Sequence, residues 1–169
     1  MRVSVKGGLI LTTFLTFIGT PWAEKWTVPL QDVSVIVGTV DGQVVKRLLF
    51  HADLSSLPVS VQIHHAELQV PQGSVPTVSG FLTLEFLPLR TDWTPGAVTW
   101  VTPWTTPGGD VDLTKSETYH LQGSIGDNLR LGLLSLVREW KNGATANSGV
   151  LVKVLDATGS EVSIGSTAP

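Results

Sequence analysis

The side chains best equipped for chemistry gather between Arg90 and Asp112. This stretch carries Trp93, Trp100 and Trp104, spaced by Pro95, Gly96, Pro103, Pro107, Gly108 and Gly109, and it closes on GGDVD with Asp110 and Asp112. An indole offers a flat apolar face on which the C–H face of a sugar ring can pack. Trp93 and Trp104 flank turn residues and are the candidates for such stacking. Trp100 lies between Thr99 and Val101, as in a strand, and is expected in the core together with Trp140. Arg90 adds a guanidinium able to pair with a sugar carboxylate. Asp110 and Asp112 stand two apart after a tight turn and are candidate ligands for a structural calcium ion, which takes several oxygens from carboxylates and carbonyls. The alternative is a turn in which Asp110 hydrogen-bonds its own backbone.

Other chemistries find less support. His64 and His65 are adjacent, so in a strand they face opposite ways. His51 and His120 are isolated in sequence. A hydrolytic zinc site needs about three convergent protein ligands. No G-x-S-x-G elbow or phosphate-cradling glycine motif is present. Glu67, Glu85 and Glu117 show no pattern that would select a glycosidase pair. The expectation is a non-catalytic protein.

The elements that hold these residues begin after a leader. Arg2 and Lys6 precede an uncharged, mostly apolar run from Gly7 to Thr20, and Ala23 offers a small residue before Glu24. That is the layout of a signal peptide over residues 1–23. The apolar run is short of the ~20 residues of a membrane span, so no stable span is expected after cleavage, and the protein is expected to be secreted or periplasmic. An uncleaved N-terminal anchor is the alternative. Eleven basic and 14 acidic side chains give −3, and loss of Arg2 and Lys6 makes this −5. Such a balance supplies no field for nucleic acid. The chain has no Cys, so neither disulfides nor thiolate metal sites stabilise it. Residues 24–169 are expected to fold as one domain around a core large enough to stand alone.

Short apolar runs bounded by turn residues predict strands at Trp26 to Leu30, Val33 to Thr39, Val44 to His51, Ala66 to Val70, Phe81 to Leu87, Ala97 to Val101, Thr118 to Leu121, Leu129 to Leu133, Val150 to Asp156 and Glu161 to Ile164. Val33, Val35 and Val37 fall on one side of their strand. Asp41-Gly42 reads as a hairpin turn. Leu54 to His64 breaks the alternation and reads as a buried loop with apolar anchors. Leu133, Leu136, Val137 and Trp140 share one face of a short helix over Leu134 to Lys141, stopped by Asn142-Gly143.

Three segments, in order, resemble the DNRLRE-type secreted domains, a group that includes family 96 carbohydrate-binding modules. Arg47 to Val70 (RLLFHADLSSLPVSVQIHHAELQV) is similar to the family's R-x-L-x-x-F-D-L-S-S-I-P segment. Trp93 to Asp110 is similar to its W-x-E-G-x-V-T-W followed by P-G-G-D. Glu139 to Val154 (EWKNGATANSGVLVKV) is similar to its W-x-N-G-x-x-x-N-Y-G-L-L-L-K. Pro95 stands where that family has Glu, Leu131-Gly132-Leu133-Leu134 where it has F-D-V-T, and Ser148 where it has Tyr; Asp53 keeps its Asp. The resemblance implies a jelly-roll β-sandwich outside the cell. It implies, more loosely, recognition of an extracellular or cell-surface polysaccharide. The expected protein is an all-β jelly-roll sandwich with one short helix. Its expected function is carbohydrate binding or, alternatively, a structural or adhesive role in an envelope with a protein partner or itself.

Overall fold

A computed structural model describes residues 4–6, 12–16, 25–58, 60–70, 77–124, 129–158 and 163–165. They form an all-β fold with one short α-helix. The strands are β1 (Ser4–Lys6), β2 (Thr12–Thr16), β3 (Lys25–Val40), β4 (Gln43–Ala52), β5 (Glu67–Val70), β6 (Thr77–Pro88), β7 (Glu117–Ser124), β8 (Leu129–Gly132), β9 (Val150–Thr158) and β10 (Ser163–Gly165). Helix α1 (Leu134–Lys141) lies between β8 and β9. The main sheet runs β7-β6-β9-β4-β3-β2-β5-β8, antiparallel throughout, and β1 pairs with β10 in parallel. Among the described residues no helix is long and apolar enough to cross a membrane. The proposed cleavage point, Ala23 to Glu24, lies outside the described residues.

Strand β3 joins two layers. Its first part, Lys25 to Pro29, pairs with β2, and its second part, Leu30 to Val40, pairs with β4. The register slips between Gln31 and Ser34, and Asp32 takes a positive φ of 58°. An extra residue in one strand bends it and strengthens its twist, and Asp tolerates the left-handed conformation better than most side chains. Val28, Leu68 and Leu131 from one layer then share a cluster with Phe50, Ala52, Phe86, Val150 and Val152 from the other. Helix α1 adds Leu136, Val137 and Trp140 to it, as its three- and four-residue spacing predicts. Leu57 and Ile63 anchor the 54–64 loop there.

The larger layer is buried on its other face as well. Ile36, Leu49, Leu87, Leu89 and Leu151 form a second cluster with Trp104, flanked by Trp93, Val98, Trp100 and Val111. Neighbours along a strand therefore enter different clusters: Leu49 and Phe50, Phe86 and Leu87, Val150 and Leu151. Successive side chains point to opposite faces, which explains why these runs are apolar without alternation. The cover on the second face is the chain from Trp93 to Val111.

One expectation is corrected. Ala97 to Val101 is not a strand but part of this turn-rich cover. The N–H groups of Ala97 and Val98 both donate to the carbonyl of Thr94, and those of Val101 and Thr102 donate to the Thr99 hydroxyl, so none is spent on a ladder. Val33, Val35 and Val37 share a side as expected; Val35 and Val37 are exposed there, and Ile36 is buried on the opposite side. The Asp41-Gly42 turn is as expected: both residues have positive φ, 50° and 76°, which matches the twist of a tight hairpin.

Candidate functional site

The cover is held by Asp110. Its carboxylate accepts hydrogen bonds from the backbone N–H groups of Thr105 and Thr106, both at 2.8 Å, and from the hydroxyls of Thr105 at 2.8 Å and Thr91 at 3.0 Å. The two backbone donors are the main cause of a carboxyl pKa lowered to about 2, helped by the hydroxyls of Thr105 and Thr91. Asp112 accepts from the N–H and hydroxyl of Thr114 and pairs with Arg90 at 3.0 Å. Its carboxyl is lowered too, first by the Thr114 hydroxyl. The two aspartates thus serve different neighbours, and a calcium ion at either would compete with donors already in place. Arg90 keeps an exposed side chain beside Asp112.

Asp110 carries a pH prediction. A carboxyl whose folded pKa lies near 2, below its ordinary value of 3.8, contributes stability that is fully present above the higher value. That contribution is lost as pH falls through the interval between them. Wild type should lose stability from about pH 4 to about pH 2, and Asp53, Asp112 and Glu139, all lowered, act in the same direction. Asp110→Asn should have a lower urea midpoint than wild type at pH 7, and the gap should narrow toward pH 2. A gap that stays constant across this range would show that the Asp110 charge is not what secures the cover.

The three tryptophans divide by role. Trp104 is 6% exposed in the second cluster, and its indole N–H donates to the Thr99 carbonyl at 2.9 Å. Its faces are spent on packing, so it is removed from the candidates for sugar stacking. Trp100 lies against Gly38, where an added Cβ would sit 1.9 Å from the ring, and Arg47 covers it at 4.6 Å from its centroid. Arg47 also donates to the Gly108 carbonyl at 2.5 Å, and burial lowers its pKa. Cation–π contact and hydrogen bond together fasten the cover to β4.

Trp93 reaches a cleft. With Asp32, His51, Asp92, Asn147 and Ser148 it lines a cavity of about 300 Å³. The Trp93 indole N–H donates to the Ser148 carbonyl at 3.1 Å, and the Ser148 hydroxyl donates to Asp92 at 2.6 Å. Asn147 donates to the Ala52 carbonyl at 2.8 Å, while its own side-chain oxygen is buried without a partner. His51 Nε2 lies 3.0 Å from the Asn147 carbonyl. The result is a half-buried aromatic ring beside two carboxylates and a fixed amide, a combination suited to a polyhydroxylated ligand that donates hydrogen bonds.

Five of these residues were not among the candidates drawn from the sequence. Asp32 comes from the β3 bulge, His51 from the β4 position paired with Gln31 beside it, Asp92 from the start of the cover, and Asn147 and Ser148 from the loop before β9. Strand pairing brings them together, not spacing. The only local signal was the polar Gln31-Asp32 interruption between two apolar runs. His64 and His65 do not converge with the other histidines: His65 pairs with Glu67 and His120 contacts Thr83. A second cleft of about 240 Å³ lies beside α1, but its basic residues Arg138 and Lys141 donate to the Ile63 and Leu57 carbonyls. Among the described residues no group of three or more His, Asp or Glu converges as metal ligands would. No family model, curated protein or solved structure matches this chain.

Proposed function

We propose that the chain is a non-catalytic, exported carbohydrate-binding module that recognises an extracellular or cell-surface polysaccharide at the Trp93 cleft. The observation that carries this reading is the meeting of Trp93 with Asp32, Asp92 and Asn147 around one cavity. Carboxylates and an amide oxygen accept from sugar hydroxyls, and the indole supplies apolar contact. The cleft holds no Lys or Arg, so a neutral sugar fits it better than a uronate. The jelly-roll winding and the signal peptide belong to the same proposal, as does a structural calcium ion at Asp110 and Asp112, which would have to displace the donors these two carboxylates already hold. Calcium titration followed by thermal unfolding tests the last: no rise in midpoint removes the ion.

Retention on a polysaccharide panel tests the function. No retention of a folded protein on any glycan would count against it. Asp32→Asn is the sharper probe. Asn accepts positive φ as readily as Asp, so the bulge should survive and the unfolding midpoint should stay unchanged. Loss of a charged acceptor should weaken binding by about tenfold. Equal affinity in the variant would move the site away from this cleft.

A second reading has its own observation. The β3–β4 hairpin exposes Val35, Val37 and Val44 on one face, the last at 70%. An apolar strip of this kind marks a surface that meets another protein, as in a structural or adhesive envelope role. Light scattering discriminates: a stable oligomer without glycan affinity favours this reading.

A further inference from the structure

The geometry points to an exchange of strands when the leader is removed: β10 leaves β1 and takes the place of β2 between β3 and β5. The inference rests on the signal-peptide reading and concerns what cleavage does to the fold.

Both strands contributed by residues 1–23 have partners that would lose them. Strand β2 is hydrogen-bonded on one side to Lys25 to Pro29 of β3 and on the other to Glu67 to Gln69 of β5. Strand β1 is paired with Ser163 to Gly165 of β10. Cleavage after Ala23 therefore opens one slot and frees one strand. Adjacent strands lie about 4.8 Å apart, so β3 and β5 would be left about 9.6 Å apart, too far to bond each other. Their freed N–H and C=O groups would flank Val28 and Leu68, both core residues. Unpaired backbone groups at such a place are costly, and the slot calls for a strand.

The topology brings the tail of this chain to it. From the outer edge inward, one layer reads β7-β6-β9 and the other β8-β5-β2. The chain passes between layers from β7 to β8 and from β5 to β6, which makes those strands opposite numbers. The next pair inward is β9 and β2. Strand β9 ends at Thr158 beside Phe81, at the end of the sheet where Thr77 meets Ser124. Four residues, 125–128, separate β7 from β8, and four, 159–162, separate β9 from β10. Strand β2 is five residues long, and residues 163–169 suffice to replace it. Val162 and Ile164 alternate with Ser163 and Gly165, the period of a strand with one face on a core. Entering from that end, the tail runs antiparallel to β3 and β5, as β2 does.

The test uses the exported protein, with intact mass reporting whether residues 1–23 are gone. Hydrogen exchange is then read on peptides covering 25–29, 67–70 and 162–168. The expected result, in a monomer by light scattering, is exchange at 162–168 slowed by about 100-fold against the urea-unfolded chain, together with protection at both flanking strands. Ile164→Pro, which removes a donor and cannot sit in a central strand, should lose protection at 25–29 and 67–70. A synthetic peptide of residues 161–169 should restore it. Free exchange of 162–168 in the cleaved protein overturns the proposal, whether the flanks are open or have closed on each other. Protection seen only in a dimer overturns it in favour of a second copy's tail. An uncut mass refutes the leader reading itself, a failure distinct from either.

Discussion

Trp104→Ala should lower the unfolding free energy by about 3–5 kcal/mol, the range for removing a large aromatic from a packed interior. Trp104 is the central buried side chain that the cover contributes to the second cluster. Its loss leaves a cavity above Leu49, Leu87 and Leu151, because the sheet beneath is fixed by pairing on both sides and cannot collapse into it. The Thr99 carbonyl also loses its indole donor, and Thr99 organises the turn by accepting from Val101 and Thr102. The damage should concentrate in Trp93 to Val111. Urea unfolding gives the magnitude, and hydrogen exchange gives the place. Val101, 61% exposed in the same turn, is the control: Val101→Ala should shift stability by no more than about 0.5 kcal/mol. A loss below about 1 kcal/mol for Trp104→Ala would mean that the cover is not held by its core side chain.

Gly149→Ala should be nearly as severe and should also abolish binding. Gly149 has a φ of 93°, outside the range that side chains favour. An added Cβ would stand 2.6 Å from the Phe50 carbonyl oxygen and 3.3 Å from the Trp93 indole nitrogen. The first neighbour is backbone in the middle of the larger layer and cannot move aside cheaply. Strained backbone alone costs about 1–3 kcal/mol, and displacement of β4 from β9 would add to it. Asn147 and Ser148 immediately precede this position and line the cleft, so the distortion reaches the site. Thermal unfolding and glycan retention read the two effects. Asp32→Asn separates them, since it should lose affinity while keeping the midpoint. Full stability in Gly149→Ala would show that β4 and β9 have slack that their register does not suggest.

What was legible in the sequence was local. The helix follows from the spacing of Leu133, Leu136, Val137 and Trp140, the hairpin from Asp41-Gly42, and the anchored loop from the broken alternation around Leu57 and Ile63. Each depends on neighbours within one or two turns of chain. The cover is different. Ala97 to Val101 has strand-like composition, yet Thr94 and Thr99 capture its N–H groups first. Trp93 and Trp104 have the same kind of flanking residues, but one lines a cleft and the other fills a core. What separates them is the surface each lands on, and that surface is built by β4, β6 and β9. The cleft was hidden for the same reason: Asp32, His51, Asp92 and Asn147 are far apart in the chain and meet only after β3 pairs with β4 and the loop before β9 folds back.

The double-sided burial of the larger layer also makes the molecule its own optical gauge. Trp140 sits in the cluster on one face of that layer and Trp104 in the cluster on the other. Indole emission depends on the water around the ring, so the two faces can be followed apart in two variants, each keeping one of these indoles and carrying Phe in place of the other five of the chain's six tryptophans. If the cover detaches before the two sheet layers separate, the emission from Trp104 shifts to longer wavelength at a lower urea concentration than the emission from Trp140. If the domain unfolds as one cooperative unit, the two curves coincide. A chain without a single disulfide thus carries, in the placement of two rings, the means to reveal whether its faces hold together or yield in turn.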